Sequence, residues 1–212
     1  MKSLLGIVGI ATLLVPALGE AQSRNEAQIV ALVSRSPENL ESLFKITGDN
    51  LDTDVTISSY GVTSIVSKGL LASTTNEDSF LRAFVDKKSG VVTAQEYHIA
   101  KYGGRGFDRF EKATYDTGGG VRESRVSETS NDVSCGRYGC THYQDLVFSV
   151  DLSALREIAA QWNPANPLQP SLQYRIFGQS GSNVDSVIPA NEITAFVHII
   201  DREQRKYLTP KP

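Results

Sequence analysis

Phe80-Leu81-Arg82-Ala83-Phe84-Val85-Asp86-Lys87-Lys88-Ser89-Gly90-Val91-Val92-Thr93-Ala94-Gln95-Glu96-Tyr97 decides the fold, because two β-prone runs flank a polar turn that ends in glycine. The stretch reads as a β-hairpin, and the residues around it extend the pattern. Upstream, Asp54-Val55-Thr56-Ile57-Ser58 alternates polar and apolar, and Thr63 to Leu71 is β-rich around Ile65 and Val66, although Gly69 weakens that run. Downstream, Tyr102-Gly103-Gly104-Arg105-Gly106 reverses the chain. Phe107 to Tyr115 forms the next strand, and Thr117-Gly118-Gly119-Gly120 turns it again. The spacing predicts a meander.

Val121 to Cys135 and Cys140 to Val150 then make a long hairpin. Leu146, Phe148 and Val150 share a face with Cys140 and His142. The first arm is much more polar, which places it at a sheet edge or projecting from the body. Helical spacing appears before and after this β region. Ile29, Leu32 and Val33 form one stripe within Ser23 to Lys45, with a second run at Leu40, Leu43 and Phe44 after Ser36-Pro37. Asp151 is placed to cap a helix running through Trp162, which Asn163-Pro164 ends. Leu172 to Gly178 reads as the last strand, and Pro189 opens a C-terminal helix striped by Ile193, Phe196, Val197 and Ile200. No internal repeat or composition shift marks a boundary. The expectation is one α+β domain over residues 22–212: a twisted antiparallel sheet of about six to eight strands with flanking helices.

Residues 1–21 read as a cleaved export signal. Lys2 gives the positive start, Leu4 to Val15 the apolar middle, and Gly19-Glu20-Ala21 the small residues before the cut. The apolar run falls short of the roughly 20 residues that span a bilayer, and no later stretch is long enough. Removing one base, Lys2, and one acid, Glu20, leaves the net charge at -3, which argues against a nucleic-acid partner. Basic residues gather near the end at Arg202, Arg205, Lys206 and Lys211, but Asp201 and Glu203 interrupt them, as on a solvated helix end. The expected location is the periplasm or the medium.

That compartment bears on the two cysteines, Cys135 and Cys140, which are expected to form a disulfide in oxidising surroundings. The segment Cys135-Gly136-Arg137-Tyr138-Gly139-Cys140 suits a short hairpin loop, with glycines taking positive φ. A redox-active pair usually has the tighter Cys-x-x-Cys spacing at a helix start, so the bridge reads as structural.

No motif spells a reaction. His98, His142 and His198 lie on three separate elements and form no metal-ligand pattern, and nothing calls for a cofactor. His98 reads as a partly buried structural residue sharing its face with Val92, Ala94 and Ala100, and His198 as exposed. Gly178-Gln179-Ser180-Gly181 lacks the second glycine of a nucleophile elbow and reads as a turn. The glycine clusters at 103–106 and 118–120 lack the lysine-serine ending of a phosphate loop. Glu96, Asp108 and Glu111 are expected to face solvent beside Lys101, Arg109 or Lys112, while the rings of Tyr97, Tyr102, Phe107 and Tyr115 are assigned to the core. The candidate binding surface is the hairpin tip: Arg137 and Tyr138, with His142 and Tyr143 just behind.

The strings Leu81-Arg82-Ala83-Phe84-Val85-Asp86-Lys87-Lys88-Ser89-Gly90 and Cys135-Gly136-Arg137-Tyr138-Gly139-Cys140-Thr141-His142-Tyr143 resemble a group of exported bacterial proteins of unknown function, over residues 79–150. The resemblance implies export and a sheet-based domain, and no catalytic residues. The leading functional expectation is a soluble, non-enzymatic envelope or secreted protein that binds a protein partner or a small-molecule ligand. Two alternatives stand beside it. One is an exported hydrolase with a site assembled from His98, His142 and Glu96. The other is a structural or assembly subunit with a sheet edge that accepts a strand.

Overall fold

The structure, a computed structural model, describes residues 32–62, 79–103, 106–166, 170–181 and 183–208. The export signal, the helical stripe at Ile29 and the β-rich run from Thr63 to Leu71 lie outside the described residues, wholly or in their essential part. In chain order the elements are α1 (Pro37–Glu41), β1 (Lys45–Thr47), β2 (Asp54–Ser58), β3 (Ser79–Asp86), β4 (Val92–Gly103), β5 (Phe110–Asp116), β6 (Val121–Gly136), β7 (Gly139–Val150), α2 (Leu152–Gln161), β8 (Ser171–Gly178), β9 (Val184–Pro189) and α3 (Ala190–Leu208). The strands form one antiparallel sheet in the order β1-β2-β3-β4-β7-β6-β5-β8-β9, curled into a half-barrel.

The β3–β4 hairpin forms as its sequence predicts. The Asp86 carboxylate accepts from the backbone N–H groups of Lys88 and Ser89, at 3.0 and 2.5 Å, and Gly90 closes the turn at φ +68°. The Cys135–Cys140 disulfide is present and joins residues directly opposite one another at the tip of the β6–β7 hairpin. Arg137 and Tyr138 make the turn and Gly139 takes the positive φ, +131°.

Strand β6 is the corner of the half-barrel. Its residues Val121 to Arg125 pair with β5, whereas Val126 to Gly136 pair with β7, so the chain passes from one flank of the sheet to the other within one strand. A bulge between Glu128 and Ser130 adds twist along the second half. Each half of the polar arm is therefore paired on one side only, with β5 up to Arg125 and with β7 from Val126 onward.

Inward-facing residues follow period two. Leu81, Ala83 and Val85 on β3 and Leu146, Phe148 and Val150 on β7 are buried, and their neighbours in sequence face outward. The helices cover the concave face. Ile193, Phe196, Ile199 and Ile200 of α3 are fully buried, Phe196 stacks on Phe44 at 6.1 Å, and Leu155 and Ile158 of α2 complete the layer. Each such side chain contributes about 1.5–3 kcal/mol by leaving water.

Four expectations need correction. The sheet has nine strands, because β1 and β9 escape the sequence pattern: β1 has three residues, all exposed, and β9 alternates only weakly. Pro189 ends β9 instead of opening the helix, which starts at Ala190. Lys45 is in a strand, since the Ser36-capped helix α1 stops at Glu41. Asp151 stands at the N-cap position of α2 without a side-chain cap bond, because its carboxylate is paired with Arg122 at 2.5 Å.

Candidate functional site

Alternation along β4 puts Ala94, Glu96, His98 and Ala100 on the concave side. Glu96 is fully buried, which contradicts the solvent-facing reading, and His98 is 6% exposed. Both meet the hydroxyl of Tyr174, from β8 on the opposite flank of the curled sheet. The Tyr174 hydroxyl lies 2.9 Å from Glu96 Oε1, 2.8 Å from His98 Nδ1 and 2.9 Å from Ser79 Oγ, and the Ser79 hydroxyl donates to the same Glu96 oxygen at 2.8 Å. This polar knot ties β3 and β4 to β8 across the concavity. Burial pushes the Glu96 carboxyl well above the usual carboxylate range; the Ser79 and Tyr174 hydrogen bonds oppose that shift and the charge of Glu192 adds to it. The Tyr174 phenol is likewise pushed well up, first by burial and then by Glu96. Glu96 Oε2 is buried with no hydrogen-bond partner in the structure.

The third residue of the predicted hydrolase set is elsewhere. His142 pairs with Tyr102 on the β4–β7 ladder, four rungs from the His98–Leu146 pair, which is about 13 Å along the strands. Its Nε2 accepts from the Gly106 N–H at 3.2 Å, and its ring stacks on Tyr102 and meets Phe107 edge-on. Tyr102 bonds Gln144, whose amide donates to the Asp108 carbonyl at 3.1 Å. These contacts pin the 106–110 loop against the hairpin. Glu96 and His98 therefore converge through Tyr174, and His142 does not join them. Asp108 takes the Ser180 hydroxyl at 2.5 Å and Glu111 pairs with Arg109 at 2.7 Å, so no carboxylate pair forms among the three predicted acids. No group of three or more His, Cys, Asp or Glu side chains among the described residues is arranged to hold a metal ion.

The hairpin tip is not one continuous surface. Tyr138 is 98% exposed and Arg137 is exposed beside it, but His142 is 6% exposed and faces the core side, while Tyr143 faces the other way under Lys101. His198 is exposed as expected and approaches Glu41 at 3.2 Å.

The outer face of β1 to β4 holds the arrangement that sequence reasoning missed. Register places Lys45, Ser58, Arg82 and Gln95 on one rung across four strands, so two cations flank a serine. Their Cα atoms are two strand spacings apart, about 10 Å. Beside this rung runs a row of rings. Phe80 stacks on Tyr97 at 4.9 Å and meets Tyr60 edge-on at 5.1 Å. The Arg82 guanidinium lies over Tyr97 at 4.3 Å and Lys45 over Tyr60 at 4.7 Å, which holds both cations in place. Arg82 Nε is buried without a hydrogen-bond partner, and neither cation forms an ion pair among the described residues. The groove between them has a volume of about 430 Å³ and is also lined by Thr47, Thr56, Ile99 and Asp145. Tyr97 thus belongs to the outer face and Phe107 is half-exposed, whereas Tyr115 is core as predicted.

A larger hollow of about 700 Å³ lies on the outer face of β5, β8 and β9. Its principal charges, Arg175 and Asp185, already satisfy each other through two bonds of 2.5 and 2.8 Å, which leaves the β1–β4 groove better equipped to orient a ligand.

No family model matches this chain, and no curated protein or solved structure matches it significantly.

Proposed function

We propose that this is an exported, non-catalytic binding protein whose ligand site is the groove on the outer face of β1 to β4. The observation that carries the reading is the Lys45–Ser58–Arg82 rung: two cations seated on aromatic faces, with no carboxylate among the described residues bonded to either, at the wall of an open groove. A preformed hollow with an apolar floor and a few convergent polar groups is the usual make-up of a small-ligand site. Export is supported by the leader pattern of residues 1–21 and by the disulfide at the hairpin tip. The hydrolase alternative loses ground because Glu96 and His98 are sealed in the core and His142 is held in a separate cluster.

The test is a titration of isotope-labelled protein with a panel of small metabolites, read by amide chemical shifts. Shifts confined to residues 45–60, 80–82 and 95–99 are expected, and Arg82→Gln is expected to abolish them. Binding mapped to Arg137 and Tyr138 with a silent groove would refute the assignment.

One observation favours a second reading. Among the described residues, the Val126 to Gly136 part of β6 pairs only with β7 and leaves a free edge, as an assembly subunit accepting a strand would need. That edge is polar and bulged, both of which blunt edge pairing. Sedimentation that gives a monomer mass at rising concentration rules out self-assembly through it.

A further inference from the structure

Resting on the groove as the ligand site, we infer that its ligand is an acidic saccharide, a hydroxyl-bearing ring that carries a carboxylate. Three features of the lining select this chemistry together. The first is charge: Lys45 and Arg82 stand at one end, and the planar Arg82 fork matches a carboxylate. Asp145, the one carboxylate that the described residues bring to the lining, does not neutralise them. Asp145 pairs with Ile99 on the β4–β7 ladder, four rungs beyond Gln95, so it stands about 13 Å along the strands from the Arg82 rung.

The second feature is the hydroxyl lining. Thr47 and Thr56 face each other on the β1–β2 ladder, two residue pairs from the Lys45–Ser58 rung and on the same face, and Ser58 lies between the two cations. Hydroxyls both donate and accept, as sugar hydroxyls do, and Asp145 at the far end only accepts and so asks the ligand for a donor. A flat aromatic acid without hydroxyls leaves Asp145 unanswered. The third feature is the platform. Phe80 is 5% exposed and Arg82 covers Tyr97, so the most accessible ring of the lining is Tyr60, at 44% exposure, with the Lys45 ammonium 4.7 Å from its centroid. A single ring with an apolar face suits the C–H side of a pyranose. The separation of the cations from Asp145 exceeds one sugar ring, so an oligomer that reaches both ends binds better than its monomer.

The test uses galacturonic acid, trigalacturonic acid, galactose and benzoate as probes, with amide shifts for location and calorimetry for affinity. The full-length folded protein is compared with Arg82→Gln and, because Arg82 is half-buried, with Lys45→Gln on the exposed strand β1. Trigalacturonate is expected to bind in the groove, with galactose weaker by about tenfold or more, since a charge-assisted bond is lost. Affinity is expected to fall with added salt and in both variants. Tighter binding of the trimer than of the monomer is expected and points to a polymer as the natural source; equal binding overturns the two-ended reading and leaves the saccharide class standing. Arg82-dependent binding of benzoate without binding of either galacturonate overturns the saccharide assignment and leaves the groove reading standing. Silence of the groove amides towards all four probes overturns both.

Discussion

Replacing Glu96 with glutamine isolates the energetic consequence of an acid buried in the core. Glutamine keeps the shape, and its Oε1 accepts the same bonds from Ser79 and Tyr174 that the carboxyl accepts. It cannot ionise. In the unfolded chain Glu96 titrates near its ordinary value of 4.5, whereas burial holds the folded carboxyl well above it. Above pH 4.5 the unfolded state therefore releases a proton that the folded state retains, and stability falls as pH rises. The contribution is fully present below 4.5 and is lost progressively up to the folded pKa, at a slope of up to about 1.4 kcal/mol per pH unit. The Glu96→Gln variant has no such loss. Urea denaturation of both proteins across this range should give nearly equal stabilities at the acid end and a widening advantage for the variant as pH rises, reaching about 1.4 kcal/mol one unit into the window. His98 and Glu192 are retained in both proteins, so the difference reports position 96. A gap that stays constant with pH would refute the claim that the folded protein holds Glu96 as the neutral acid.

Removing the hub of the knot, Tyr174→Phe, leaves buried Glu96 and His98 and half-buried Ser79 without their shared hydroxyl and should cost about 1–3 kcal/mol by the same denaturation assay. Gly90→Ala should destabilise by about 1 kcal/mol or more: the residue sits at φ +68°, and an added Cβ would approach Leu208 Cδ2 at 2.7 Å. Reducing the Cys135–Cys140 bridge should act locally, since a loop this short is worth about 2 kcal/mol in the chain-entropy account. Hydrogen exchange is expected to quicken by roughly 30-fold for amides around Ser134 to Thr141 and to stay unchanged in α3.

The β3–β4 hairpin, the disulfide-tipped hairpin and the apolar stripe of α3 were legible because each has a strong local signal: a turn that needs glycine, a facing cysteine pair, or helical spacing. Strand β1 was not, because Lys45-Ile46-Thr47 is too short to show a period and exists only through its pairing with β2. The groove was hidden for the same reason. Its two cations are 37 positions apart in sequence and become neighbours only when β1 and β3 flank β2. One signal was available: Phe80 and Arg82 alternate with Leu81 and Ala83, so whichever pair is core, the other must be an outer face.

Along Gln95-Glu96-Tyr97-His98 the same alternation fails, because both faces carry polar groups and period two cannot say which side is buried. The inward choice is made across the half-barrel by Tyr174, six strands along the sheet order from β2 and facing β3 and β4 only after the sheet has curled. Register then follows from geometry. Sliding β4 by one residue turns Glu96 out to water, and sliding it by two preserves the faces but takes the carboxyl away from both Ser79 and Tyr174, which strands polar groups in the core. The same rungs present Phe80, Arg82 and Tyr97 on the other side. The interior knot that costs stability at neutral pH is thus also what fixes the alignment of the rings and the guanidinium in the groove, and Tyr174→Phe should loosen the Phe80–Tyr97 stack although it touches neither ring.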